Sequence, residues 1–241
     1  MSGLPASARL AWWGTAWLQG RIGPDAFLDG ILGDDVAHVV GGADGSSPVL
    51  LELADARNRG ATGVAAAFPV PGDPAGLRGP RELTAAAIDA GQVALLLGAE
   101  RALVPVQVGR AVEWTLLPAV RRPPPDLGEA DRALRAGLLT AANLLADLDV
   151  AAWRPEVADE LHDLRTAVPL TAPEGTPTLC VDLAGRALHL WDVTELALAD
   201  DGGALSAGEA MARRAAIEPL EQAARHALGA ACSPDGWPPS R

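Results

Sequence analysis

A chain of 241 residues, 49% of them hydrophobic, is long enough to bury a substantial core as one large domain or two modest ones. Its formal charge of −12, from 31 Asp and Glu against 19 basic residues, repels phosphate backbones and anionic lipid, so neither nucleic acid nor a membrane is an expected partner. Every basic residue is Arg, and the chain has no Lys and no Tyr, which excludes Schiff-base chemistry, pyridoxal attachment, a phosphate-loop lysine and phenolic catalysis.

Ser7 reads as the cap of a first helix, Ala8 to about Gln19, with Leu10, Trp13 and Trp17 on one face and Trp12 beside them. Aromatic residues at helical spacing are expected to pack on a sheet. Gly23-Pro24-Asp25 opens a second helix to about Leu32. Val36 to Val40 reads as a short strand, and Ser47-Pro48 as the cap and first residue of a helix through about Arg59. Val64 to Phe68 is a strand of small residues. It leads into Pro69–Pro80, whose four prolines and three glycines enforce an irregular, stiff path. A helix over Arg81–Ala90 follows. Gly91 to Ala119 then shows three apolar runs separated by short breaks at 99–101 and 109–110, the pattern of an antiparallel meander.

The prolines of Val120–Asp126 predict an extended connector, beyond which the chain reads as helix. Asp126 and Glu129 have capping-box spacing, and Leu134, Leu138, Ala141, Leu145 and Leu148 form the strongest amphipathic stripe. Further helices are predicted from Pro155, from Thr176-Pro177 to about Ala199, and from Ser206, the last interrupted by Pro219. The expected fold class is therefore α+β. A mixed or antiparallel sheet with covering helices occupies 1–120, a proline-rich connector 121–126, and a helical bundle 127–241, with the two halves able to share one core.

The Gly91 meander, EADRALRAG (129–137), RPEVADELHDLR (154–165), DDGGALS (200–206) and AACSP (230–234) together resemble uncharacterised proteins of GC-rich actinobacteria. The resemblance implies a bacterial, cytoplasmic protein and transfers no site residues. The start of the chain lacks a small-residue cleavage site, and no apolar run approaches the ~18 residues of a spanning helix, which agrees with a cytoplasmic location.

Two constellations carry candidate chemistry. The Pro69–Pro80 loop enters a helix, where free N–H groups and the positive end of the helix dipole meet Arg78 and Arg81, an arrangement suited to a phosphate or carboxylate. Asp159 with His162, and His189 with Asp192, set an imidazole and a carboxylate three residues apart on two predicted helices, a spacing that suits a metal as well as surface ion pairs. Cys180 and Cys232 stand alone and read as packing residues. No catalytic residue is assigned. No cofactor is implied beyond that metal. The reading is an acidic, non-catalytic binding or protein-interaction module, taking a protein partner, a second copy of itself or a small anion. The alternative is an enzyme with an unfamiliar Asp/Glu/His site, metal-dependent or not, between sheet and bundle.

Overall fold

The structure is a computed structural model that describes residues 3–42, 45–147, 169–199 and 207–238. The elements run α1 (Ala6–Leu18), α2 (Pro24–Leu32), β1 (Ala37–Gly42), β2 (Gly45–Pro48), α3 (Val49–Asn58), β3 (Gly63–Ala67), α4 (Arg81–Ala90), β4 (Val93–Leu97), β5 (Arg101–Val108), β6 (Ala111–Pro118), α5 (Leu127–Asp147), α6 (Thr178–Ala199) and α7 (Ala207–Ala231). The expected α+β class holds: a six-stranded mixed sheet with helices, then long helices that pack together. Among the described residues no helix is long and apolar enough to cross a membrane.

The meander forms as its pattern predicts. β4, β5 and β6 pair antiparallel in sequence, and Leu103 opposite Leu116 and Ala94 opposite Leu103 fix the register. Strand order is β2-β1-β6-β5-β4-β3, with β1 parallel to β6 and all other pairs antiparallel. Gly98 turns β4 into β5. Its φ is +95°, and a Cβ there would lie 2.5 Å from the Gly60 carbonyl oxygen, so no other residue fits without a shift.

Alternation along the strands sorts side chains to two faces. Val64, Ala66, Ala94, Leu96, Leu103, Val112 and Trp114 face a large core shared with α1, α3 and residues of α5, α6 and α7. Ala65, Ala67, Val93, Leu95, Ala102, Val104 and Leu117 face α4, which buries Leu83 and Ala87 against them. Trp12 is fully buried as expected, while Trp13 and Trp17 are partly buried against the same core.

Two helix starts differ from expectation. Ser7 is buried inside the first turn of α1 behind Pro5, and its N–H donates to Gln92 Oε1 at 3.0 Å, so it is not the cap. Ser46 and Ser47 belong to strand β2, paired with Gly41 and Val40, and α3 begins only at Val49. The cap-like Ser-Pro pair lost to strand pairing. Pro48, lacking an N–H, is tolerated because β2 is an edge strand.

The opposite edge, β3, is closed by side chains and by the end of α7. Thr15 Oγ1 accepts from Val64 N–H (2.9 Å) and donates to the Val64 carbonyl (3.1 Å). Ala66 N–H donates to the Cys232 carbonyl at 2.9 Å. The Ala231 carbonyl, one of the acceptors a helix C-terminus leaves unpaired, takes the indole N–H of Trp12 (3.2 Å) and of Trp237 (3.0 Å). An exposed strand edge is thereby used up, and the last turn of α7 is brought beside the end of β3.

Candidate functional site

Where β3 ends, the chain enters the Pro69–Pro80 loop. Val70 and Asp73 exchange backbone hydrogen bonds (2.9 and 3.0 Å), and Leu77 anchors the loop in the α4-side core. Asp73 Oδ1 accepts from Ala75 N–H at 3.0 Å, which holds Ala75 at φ +49°, a conformation that L residues rarely adopt. The far end is tied to the connector by Val120 N–H donating to the Arg78 carbonyl at 3.1 Å.

Between this loop, the connector, α5 and α7 lies a cleft of about 730 Å³. Its floor is the end of β3, Ala66 to Phe68. Its charged lining comprises Arg78, Arg122, Arg225 and His226 against Asp126 and Glu129. Two of these guanidinium groups are buried, each with an Nε that has no hydrogen-bond partner among the described residues, and they differ in the carboxylates set against them. Arg225, whose side chain is 3% exposed, donates through Nη1 to the Phe68 carbonyl (2.9 Å) and to Asp73 Oδ2 (3.1 Å), and its Nε lies 3.4 Å from Glu221 Oε1. Asp73 also holds His226 Nε2, at 2.9 and 3.1 Å. Burial on its own would raise the Asp73 carboxyl, but the Ala75 N–H, His226 and Arg225 outweigh it and its pKa is lowered. Asp73 is thus a latch, joining the loop to two successive residues of α7.

Arg122 is different. It is 8% exposed, and Nη2 donates to Ser233 Oγ at 2.7 Å. Its Nε is buried with no hydrogen-bond partner among the described residues. Burial pulls this guanidinium below its ordinary value, with Asp235 acting the other way. A guanidinium stays charged, so its desolvation is uncompensated unless an acceptor arrives from the cleft.

Arg78 is exposed and lines the cleft; Arg81, in the first turn of α4, is exposed and is not among the lining residues. The N-terminus of α4 therefore does not share the cleft with Arg78. Asp126 Oδ1 accepts from Glu129 N–H at 2.7 Å, the forward half of the expected capping box. Asp159 and His162 lie outside the described residues. His189 and Asp192 sit on α6, where Asp192 is buried and its carboxyl raised by that burial. Among the described residues no three His, Cys, Asp or Glu side chains are grouped to hold a metal. Cys180 and Cys232 are buried, and burial pushes the Cys180 thiol up to about 12, which removes it as a nucleophile.

Two models of one family cover most of the chain: the N-terminal domain of the Rv1486c-like proteins matches residues 7–127 and their C-terminal domain matches 128–229. The chain belongs to the Rv1486c-like family. The two matches meet at the first turn of α5, next to the connector that carries Arg122. No curated protein and no solved structure matches the chain. The family match accords with the resemblance to uncharacterised actinobacterial proteins and brings no activity with it.

A second polar cluster joins α1 and α2 to strands β1, β5 and β6. Arg9 donates through Nε to the Ile31 carbonyl (2.8 Å), through Nη1 to the Leu4 carbonyl (2.7 Å), and through Nη2 to Asp35. Gln107 Nε2 donates to the other Asp35 oxygen at 3.0 Å. His38, in β1, accepts the Trp114 indole N–H on Nδ1 at 3.2 Å, so the neutral ring carries its proton on Nε2, 3.4 Å from Asp35 Oδ2. Burial, then the nearby Arg9 charge, push the His38 pKa down to about 4 against the pull of Asp35. None of these residues lines the cleft.

Proposed function

We propose that this protein is a binding module for a small anion, received in the cleft between the Pro69–Pro80 loop, the connector and helices α5 and α7. The observation that carries the reading is Arg122, a buried cation that lines the cleft, touches no carboxylate and has an Nε without a hydrogen-bond partner among the described residues. Arg78, at the mouth, would add a second cation. Arg225 is already matched by Asp73 and Glu221 and supports the wall rather than the ligand. Binding is favoured over catalysis because His226, the one imidazole among the described residues that line the cleft, shares its carboxylate with Arg225 and with the Ala75 N–H, which commits Asp73 to holding the loop.

Thermal unfolding with and without millimolar phosphate, acetate and citrate tests this. An anion that binds the folded state alone stabilises by about 2.7 kcal/mol at a hundredfold excess over Kd, a rise of several degrees in Tm. The rise should vanish in Arg122→Gln and shrink in Arg78→Ala. A flat response in the unmodified protein, or an equal rise in Arg122→Gln, overturns the reading.

A further inference from the structure

Resting on that anion reading, we propose that the ligand is a monocarboxylate with an unbranched apolar tail, its head at Arg122 and its tail along the seam between α5 and α7. The two helices run antiparallel: a Cβ on Gly137 would lie 3.6 Å from Leu220 and Ala223, while Gly236, beyond the end of α7, meets Pro125, just before α5. One wall of the cleft is Ala130, Ala133 and Gly137, spaced three and four residues apart on α5; the other is Pro219, Ala223 and Ala230 on α7, with Gln222 and His226 beside them. Small side chains on both walls leave a trough open where Leu or Phe would fill it. At 1.5 Å per residue these walls extend about 10 Å along α5 and about 16 Å along α7.

The head group follows from charge. Arg122 reaches the cleft near the first turn of α5 and the end of α7, through its bond to Ser233. Asp126 and Glu129 line the same cleft, and the charge of Asp235 acts on Arg122. These carboxylates repel a dianion such as phosphate more than a single carboxylate, whose one charge matches the one buried guanidinium that no carboxylate contacts. A trough of Ala, Gly and Pro offers that ligand apolar contact beyond its head.

Calorimetric titration of the full chain with acetate, butanoate, hexanoate, octanoate, octan-1-ol and inorganic phosphate tests the proposal. Affinity should tighten roughly fourfold for each added methylene until the trough is full. Octan-1-ol should bind at least tenfold more weakly than octanoate, and the gap should close in Arg122→Gln. Ala133 is exposed, so Ala133→Phe should fold normally while weakening octanoate at least tenfold and leaving acetate unchanged; Ala133→Leu should lie between. If acetate or phosphate binds through Arg122 but chain length has no effect, the tail is wrong and the anion reading stands. If no anion binds, both fall.

Discussion

Two arginine clusters among the described residues, one around Arg9 and one around Arg122, are taken out of water to different degrees and are finished differently. Arg9 donates from all three of its nitrogens, to Leu4, Ile31 and Asp35, and Asp35 is held in turn by Gln107. The cluster ties the start of α1 and the end of α2 to β5 and β1, and it borders no part of the cleft. Arg122 donates to Ser233 alone among the described residues and keeps a buried Nε beside a cavity. Folding alone accounts for the first, since every nitrogen of Arg9 has an acceptor and the network fixes the chain path. It does not account for the second, because a desolvated charge with one neutral partner costs stability that the fold does not recover. Both clusters hold a buried nitrogen without a hydrogen-bond partner among the described residues, Nε2 of His38 and Nε of Arg122; what sets Arg122 apart is a charge with no carboxylate in contact, beside a cavity.

The largest loss of stability is expected at Asp73. Asp73→Ala would strand Arg225, 3% exposed, without its hydrogen-bonded carboxylate and release the Ala75 N–H and His226 together. Removing one member of a buried pair costs about 3–5 kcal/mol, and chemical denaturation should show a loss of that size. The latch also loosens as acid is added. Because the Asp73 pKa is lowered in the folded state, its contribution is present above the unfolded carboxylate pKa and disappears as pH falls through the folded one. A loss below about 1 kcal/mol would reduce the latch to a surface pair and leave the loop wall of the cleft unsupported.

Most of the fold is legible in local pattern. The period-two runs of 91–119 and the Arg81–Ala90 helix are set by neighbours within a few residues, and both form as expected. What local pattern does not contain is the pairing of β1 parallel to β6, or the seating of α7 on β3, because those partners lie some 70 and 160 residues apart along the chain. The site follows the same division. Arg78 and its loop stand out through their prolines and glycines. Arg122 is hidden: beside Arg121, which is exposed, and ahead of Asp126, Glu129 and Asp131, it reads as part of a salt-bridged helix start, and its bond to Ser233 beyond the end of α7 lies 111 residues away. Asp73, Arg225 and His226 carry no shared motif and meet through tertiary packing alone.

The closed cluster should show itself through pH. The unfolded His38 has a pKa near 6.5 and the folded one is about 4, so between those values the unfolded chain binds more protons and stability falls as pH is lowered. For a side chain 1% exposed the change from pH 7 to pH 4 is about 3 kcal/mol. His38→Gln keeps an acceptor for the Trp114 indole and removes the titration, so its stability should vary less with pH by that amount. Equal profiles for the two proteins would place a charged His38 in the folded state and undo the assignment of its proton to Nε2.

The smallest expected effect on stability is the one that separates the clusters best. Arg122→Met deletes a hydrogen bond to Ser233 but also a buried charge that nothing in the described residues neutralises by contact. Ser233 Oγ keeps its own bond to the Gly229 carbonyl at 2.6 Å, so the variant leaves no stranded donor. The two contributions oppose each other, and unfolding free energy should change by no more than about 1 kcal/mol in either direction. Arg9→Met, by contrast, abandons Asp35 and two backbone carbonyls and should cost about 3 kcal/mol or more. Denaturant curves of the two variants, measured side by side without added anions, give the comparison directly. A loss at Arg122 as large as that at Arg9 would mean that Arg122 holds the connector in place, and its vacant nitrogen would then be a consequence of packing rather than a donor kept for a ligand.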